Sequence, residues 1–316
     1  MMILEVKNLI KRYGDTLAVD NISFSIKEGE IFGLLGPNGA GKTTAIDTVI
    51  GIRDADKGEI NIFGKDMKKH ASEIKKYIGI VPQDIAIYPD LTAYENVEFF
   101  GRLYDLKGSL LKARVEEVLE FTGLLDQKKQ FVRNFSGGMK RRLNIACALV
   151  HRPKLIIMDE PTVGIDPQSR NHIIESVKKM RNEGSTIIYT SHYMEEVEQL
   201  CSYIAIMDHG KIIARGSKEE LKDFVTVEEK TVITLDGINY TLVDRIKTMD
   251  NVVDCSVEGN VITVISKKGT NNLNNIIQCI IDSGNQIVSL ISEKPDLETV
   301  FLTLTGRTLR DEVTTA

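Results

Sequence analysis

The residue pattern predicts an α/β fold with a parallel sheet, followed by a smaller α+β domain, and three observations carry that prediction. Short apolar runs recur at Ile31–Leu35, Leu155–Met158, Thr186–Thr190 and Tyr203–Met207, separated by charged stretches with helical spacing. Such runs suit strands buried on both faces, an environment that crossover helices create around a parallel sheet. The first run passes directly into a glycine-rich loop, Gly36-Pro37-Asn38-Gly39-Ala40-Gly41-Lys42-Thr43-Thr44. After the last run the chain turns charged, with Lys218-Glu219-Glu220 and Glu228-Glu229-Lys230, and the apolar pattern then restarts, as it does across a domain boundary.

Taken in order, Ile22, Phe24 and Ile26 alternate with Ser23, Ser25 and Lys27, the period-two pattern of a strand with one wet face. Glu28-Gly29 turns the chain into Ile31–Leu35, and Gly51 is placed to end the helix that follows the glycine-rich loop. The expected division is a first domain over 1–220, a linker over 221–230, a second domain over 231–306 and a tail over 307–316. In the second domain the reading is strand Thr231–Leu235, helix Leu242–Met249, strands Val252–Val257 and Val261–Ile265 joined through Gly259-Asn260, helix Leu273–Ile281 and strand Gln286–Ile291. That βαββαβ order is the ferredoxin-like arrangement.

Composition narrows the function classes. A chain of 316 residues, 42% apolar, can fill two cores. Its net charge of -5 offers no basic surplus for wrapping a nucleic-acid backbone, so no nucleic acid is expected as a partner. Cys147, Cys201, Cys255 and Cys279 are widely spaced and form neither CxxC pairs nor a dense framework, which fits a reducing, intracellular compartment. No apolar stretch approaches the roughly 20 residues that span a bilayer, so a membrane role needs another polypeptide.

The loop fits Gly-x-x-x-x-Gly-Lys-Thr, in which glycines let backbone N–H groups close on phosphate oxygens. In this pattern Lys42 reaches β- and γ-phosphates, Thr43 offers a hydroxyl to Mg²⁺, and the helix that begins there turns its positive end toward the anion. A phosphate loop alone does not separate ATPases, GTPases and kinases. Leu155–Met158 leads into Asp159-Glu160, two carboxylates at the sheet edge where α/β proteins bind ligands. Asp159 suits Mg²⁺, and Glu160, pointing the other way, suits the water that attacks a γ-phosphate. Phe135-Ser136-Gly137-Gly138-Met139 precedes a helix with an apolar stripe of Met139, Leu143, Ala146 and Val150. Ser136 suits an N-cap, but a cap has no need of two glycines, which imply close backbone approach to something.

In that order the phosphate loop, Ser136-Gly137-Gly138 and Asp159-Glu160 resemble the ATP-binding-cassette family, over roughly the first 220 residues. The family's signature is usually Leu-Ser-Gly-Gly-Gln; here Phe135 and Met139 flank it. The resemblance implies a cassette with a helical subdomain that hydrolyses ATP with Mg²⁺. It also implies a head-to-tail dimer in which Gly36–Thr44 of one subunit and Ser136, Gly137 and Gly138 of the other enclose ATP. By the same resemblance Tyr13 stacks on adenine, Gln83 contacts Mg²⁺ and water, Asp166 crosses the dimer interface and His192 contacts the γ-phosphate. Tyr13 as an exposed strand-end tyrosine, Gln83 as a surface amide and Asp166 as a helix cap are the plainer alternatives.

A single cassette without a coiled-coil insertion favours a transporter engine, working at the cytoplasmic face of the cell membrane on a separately encoded permease. Asp84–Tyr104, rich in apolar and aromatic residues, matches the region that receives the permease in this family, and packing within the helical subdomain is the equal alternative for any one of these side chains. The end of the chain, Pro295 to Arg307, is similar to the drug- and antibiotic-exporting, daunorubicin-resistance-like group, although packing on the second domain is the plainer account of Leu297, Val300, Phe301 and Leu304. The competing reading is a soluble cassette ATPase that remodels a protein or nucleoprotein complex. The Asn-Lys-x-Asp tetrapeptide that recognises guanine is absent.

Overall fold

Two long strands open the chain, β1 (Met2–Tyr13) and β2 (Thr16–Lys27), paired antiparallel from Met2↔Lys27 to Tyr13↔Thr16. The computed structural model describes residues 1–225, 228–270, 272–293 and 296–306. The alternation at Ile22, Phe24 and Ile26 belongs to β2, which buries those three and exposes Ser25 and Lys27. β3 (Ile31–Leu35) follows, and the glycine-rich loop carries it into α1 (Lys42–Val49). β4 (Lys57–Ile62) and β5 (Lys65–Asp66) extend the first sheet beside β1, in the order β2-β1-β4-β5. After α2 (Met67–Lys75) comes β6 (Ile78–Val81), and then three helices that pack on one another, α3 (Ala93–Leu103), α4 (Gly108–Phe121) and α5 (Gly137–Leu149).

β7 (Leu155–Asp159), α6 (Pro167–Asn182), β8 (Thr186–Ser191), α7 (Met194–Leu200), β9 (Tyr203–Asp208) and β10 (Lys211–Gly216) complete this part. The core sheet runs β10-β9-β3-β8-β7-β6, parallel from β9 to β6, with β10 antiparallel at one edge. Every residue of β3, β7 and β8 is buried, which is why those segments read as unbroken apolar runs. The two sheets share one core: Phe24 of β2 stacks on Phe32 of β3 at 5.1 Å between ring centroids, among Leu4, Leu9, Ile46 and Ile188.

The strand order is what assembles the site. β3, β8, β7 and β6 are consecutive neighbours, and their carboxyl ends lead respectively to the glycine-rich loop, His192, Asp159-Glu160 and Gln83. Motifs spread over more than a hundred residues therefore emerge at one sheet edge.

The described residues divide into two compact units, Met1–Lys218 and a second that begins at Glu219. The described residues of 221–230, a stretch read from its charges as a linker, hold regular structure instead: helix α8 (Lys218–Val225) and the start of β11 (Glu228–Leu235). Glu219 and Glu220 lie in the first turn of α8, where acidic side chains favour a helix, so a charge run was a helix start rather than a loop. Beyond β11 the second unit continues with α9 (Tyr240–Lys247), β12 (Val252–Glu258), β13 (Val261–Lys267), α10 (Asn272–Asp282), β14 (Ile287–Glu293) and α11 (Leu297–Thr305). Its sheet runs β12-β13-β11-β14, with antiparallel pairing throughout, around Ile233, Ile246, Ile262, Val264 and Ile280. The expected tail, 307–316, lies outside the described residues.

Candidate active site

Gly41 stands as the N-cap of α1 at φ 100°, a conformation that L side chains strain to adopt. A Cβ there would lie 2.3 Å from the carbonyl oxygen of Ala18, and one on Gly36 would lie 2.2 Å from that of Met207. The glycines are thus demanded by the chain's own backbone. No side chain caps α1, so its first-turn N–H groups keep their capacity for an anion.

The loop forms one wall of a groove of about 490 Å³, lined by Asn38 through Thr44 together with Thr16, Leu17, Ala18, Gln83, Glu160, His209 and Gly210. A larger cavity of about 690 Å³ lies elsewhere, among four carboxylates (Glu28, Glu117, Glu120, Glu183) and four basic groups (Arg114, Arg152, Lys154, Lys179). None of the motif residues reaches it. Its charges balance, so it favours no ligand of one sign, whereas Lys42, Thr43, Gln83 and Glu160 line the smaller groove.

Buried Lys42 turns its Nζ back into the loop, donating to Gly36 O at 2.8 Å and Pro37 O at 3.1 Å and pairing with Glu160 Oε1 at 3.0 Å. Thr43 donates its hydroxyl to Asp159 Oδ2 at 2.9 Å. On the far side of Glu160, His192 Nδ1 stands 3.3 Å from Oε2, within charge-pairing distance although not aligned for a hydrogen bond. Gln83 Nε2 reaches the same oxygen at 3.5 Å. Lys42, Gln83, Asp159, Glu160 and His192 are therefore brought together.

Thr190, which the sequence marked only as the end of a strand, pins the two carboxylate residues. Its hydroxyl donates to Asp159 Oδ1 and accepts from the backbone N–H of Glu160 at 2.9 Å. That contact helps to hold Glu160 at φ 44°, a left-handed conformation that costs a glutamate energy and is retained where function demands it. The two carboxyls differ in character. The His192 imidazole, helped by the Lys42 ammonium, holds the Glu160 carboxyl down to about 2, against the opposing effect of burial. Burial pushes Asp159 up, against the hydroxyls of Thr190 and Thr43.

These donors fit a hard divalent cation: the Thr43 hydroxyl and Asp159 carboxylate touch one another, and both are oxygen ligands. Among the described residues no three His, Cys, Asp or Glu side chains gather as a metal site. A cation held here takes its other ligands from water and phosphate, which is the habit of Mg²⁺.

Ser136, Gly137, Gly138 and Asp166 form a second group, and none of them lines the groove. Ser136 caps α5, accepting from Met139 N at 3.2 Å, and Asp166 caps α6, accepting from Ser169 N at 2.9 Å. A Cβ on Gly138 would fall 2.0 Å from Ser169 Oγ, so this glycine answers to the start of α6 in the same chain. Gly137 differs: a Cβ there meets nothing within 4 Å.

Tyr13 also stays outside the groove lining. It is 41% exposed at the end of β1, with the Arg53 guanidinium 5.3 Å and the Lys11 ammonium 5.7 Å from its ring centroid.

Arg141 was not singled out by the sequence. Buried on α5, five residues past Ser136, it donates to Pro82 O at 2.7 Å and Gln83 O at 2.6 Å, tying the Gln83 loop to the helix that Ser136 starts. Its partners lie nearly sixty positions away, and no local pattern announces them. His209, which had no assigned role, lines the groove with Thr16–Ala18.

Comparison with known proteins agrees with this geometry. The family model described as ABC transporter matches residues 19–163. The linearmycin resistance ATP-binding protein LnrL of Bacillus subtilis is 46% identical over 98% of this chain and all of its own length. A Nod factor export ATP-binding protein I from Cupriavidus pinatubonensis is 37% identical over 98% of this chain and 92% of its own. Among solved structures, that of cbiO1 from Clostridium perfringens, part of the ABC transporter complex cbiONQ, is 33% identical with a TM-score of 0.65, covering 70% of this chain and 90% of that one. Among the described residues no helix is long and apolar enough to cross a membrane.

Proposed function

The chain belongs to the ABC transporter family and is an ATP-binding, ATP-hydrolysing subunit of such a transporter, and from this we propose that two copies enclose ATP head to tail to drive export through a separately encoded permease. The observation that carries the reading is the convergence of Lys42, Gln83, Glu160 and His192 within 3.5 Å contacts at the ends of four neighbouring strands. In it, Lys42 leaves Glu160 for the β- and γ-phosphates, and backbone N–H groups of Asn38–Thr44, the part of the loop that lines the groove, take the remaining phosphate oxygens. Thr43, Asp159 and Gln83 hold Mg²⁺, which supplies charge neutralisation on the phosphates. Withdrawal of Lys42 removes one of the charges that hold the Glu160 carboxyl down, so Glu160 becomes a better base toward the attacking water. His192 steadies that carboxylate from the other side and lies in reach of a γ-phosphate.

Ser136, Gly137 and Gly138 of one copy complete the site of the other, and Asp166 lies beside them at the interface. Tyr13 serves adenine only after Arg53 and Lys11 yield its ring faces. The subunit sits peripherally at the cytoplasmic face of the membrane, with Asp84–Tyr104 against the permease. The second unit is a ferredoxin-like accessory domain that regulates or steadies the cassette. Export is favoured by the similarity to linearmycin-resistance and Nod-factor-export subunits, and a soluble remodelling ATPase is not. Stable co-purification with a multi-span membrane protein is the expected outcome; co-purification with ribosomes or DNA would reverse the choice.

Glu160→Gln tests the chemistry. The variant is expected to bind ATP, lose at least roughly a hundredfold in turnover and accumulate closed dimers. Near-normal hydrolysis would remove Glu160 from its role.

A further inference from the structure

Behind the site lies a buried carboxylate that the hydrolysis scheme does not use. Glu196, on α7 and 3% exposed, gathers three hydroxyls on its Oε2: Thr162 at 2.8 Å, Tyr189 at 2.8 Å and Ser191 at 3.3 Å. Its Oε1 faces Arg170 Nε at 3.5 Å, close enough for charge pairing without the alignment of a hydrogen bond. Arg170 in turn lies over the Tyr193 ring, 4.6 Å from its centroid.

A core does not require this arrangement. A charge so deeply buried costs several kcal/mol unless it is fully partnered, and apolar residues of the same shape would fill the space at less expense. What distinguishes the partners is where they stand. Thr162 follows Glu160 by two residues, Ser191 immediately precedes His192, and Arg170 lies four past Asp166. Ser191 also accepts from Tyr193 N at 2.9 Å, so its hydroxyl grips both sides of His192 and passes that hold to Glu196. Tyr189 alone belongs to the interior of a strand.

We propose that Glu196 is a positioning residue, which fixes the His192 loop against the Glu160 loop and connects both to the start of α6 through Arg170. This rests on the roles given above to Glu160 and His192. Without the carboxylate the two loops lose their common anchor, and the 3.3 Å approach of His192 to Glu160 is no longer held. The phosphate loop makes none of these contacts, so nucleotide binding is left intact.

The test is a split between kcat and KM. Glu196→Gln keeps the shape and removes the charge; kcat is expected to fall roughly ten- to a hundredfold, as a displacement of about an ångström at reacting groups does. KM for ATP is expected to stay within about twofold, since binding of ground state and transition state are separable in such variants. Thr162→Val and Ser191→Ala should show the same split more weakly, whereas Tyr189→Phe, which deletes a hydroxyl but touches neither loop, should stay near wild type. If Glu196→Gln fails to fold, the other three variants decide. The proposal is overturned if kcat is unchanged in Glu196→Gln, or if Tyr189→Phe is as harmful as Thr162→Val and turnover falls only with thermal stability. Glu160→Gln and His192→Ala in the same assay separate the two layers: normal turnover there sinks the underlying reading, whereas their loss with an unaffected Glu196→Gln sinks only this one.

Discussion

Gly41 and Gly137 both stand at the start of a helix, α1 and α5, yet they are surrounded differently. Gly41 is pressed against Ala18 O at a left-handed φ, so its own chain requires it to lack a side chain. Gly137 is exposed, and a Cβ there would meet nothing. The contrast extends to the neighbours. Lys42, Thr43, Asp159 and Glu160 are partnered within the chain, whereas Ser136 and Gly137 present a capped helix start to the outside. One region is a site whose constraints close internally; the other leaves room at Gly137 that its own chain does not use, and the proposed second copy is what would use it.

The largest expected effect comes from attacking the closed region. Gly41→Ala adds a strained left-handed alanine, about 1–2 kcal/mol, to a collision with the Ala18 carbonyl. ATP binding, followed with a fluorescent analogue, should be lost, and denaturant unfolding should show reduced stability. Retained affinity would mean that the loop can move away from β2, contrary to its packing.

Gly138→Ala is the next step down. Its Cβ would overlap Ser169 Oγ, and overpacking of that kind costs roughly 1–3 kcal/mol. Adding Ser169→Gly removes the obstacle, so the double variant should recover most of the lost stability and show strong coupling in a mutant cycle. Additive effects would place the cause elsewhere than α6.

Arg141→Met sharpens the link between the regions. It leaves the carbonyls of half-buried Pro82 and exposed Gln83 without their donor, worth about 0.5–1.5 kcal/mol where water can take its place. Turnover should fall more than that loss of stability explains, because the Gln83 loop is freed from α5. Turnover that merely tracks the folded fraction would make Arg141 a packing residue.

What the sequence disclosed about these regions follows from distance along the chain. The phosphate loop and Asp159-Glu160 were legible because each is contiguous and follows a strand whose burial on both faces writes itself as an apolar run. The second unit was legible for the same reason, since its helices and hairpin arise from neighbouring residues; the observed α9 and α10 differ from the expected helices by two residues or fewer at either end. Three-dimensional pairings were not. β1, a twelve-residue strand, went unread because its pattern, with buried Leu4, Val6 and Leu9, is interrupted by register shifts against β2. The Arg141 clamp, the Thr190 pin and the Glu196 cluster depend on partners that no local window contains, whereas the antiparallel edge strand β10 folds back on β9 through the two-residue turn His209-Gly210, a local hairpin that the sequence reading passed over. Between Lys218 and Lys230 local reading misled, because charge on a solvated helix looks like charge in a linker.

The smallest expected change in stability carries the most information about the open region. Gly137 is the first residue of α5, with space for a methyl group, and replacing a helical glycine by alanine gains roughly 0.5–1 kcal/mol through lost freedom in the unfolded chain. Gly137→Ala should therefore fold as well as wild type or slightly better, and bind ATP unchanged, since Gly137 does not line the groove. If a second copy closes its bound nucleotide against this point, the added methyl group obstructs the approach. ATPase activity and closed-dimer formation in the Glu160→Gln background should then both fall while stability rises. Opposite signs in those measurements have no explanation within a single chain. An unchanged turnover would show that nothing approaches Gly137, and that Ser136-Gly137-Gly138 is only a well-capped helix start.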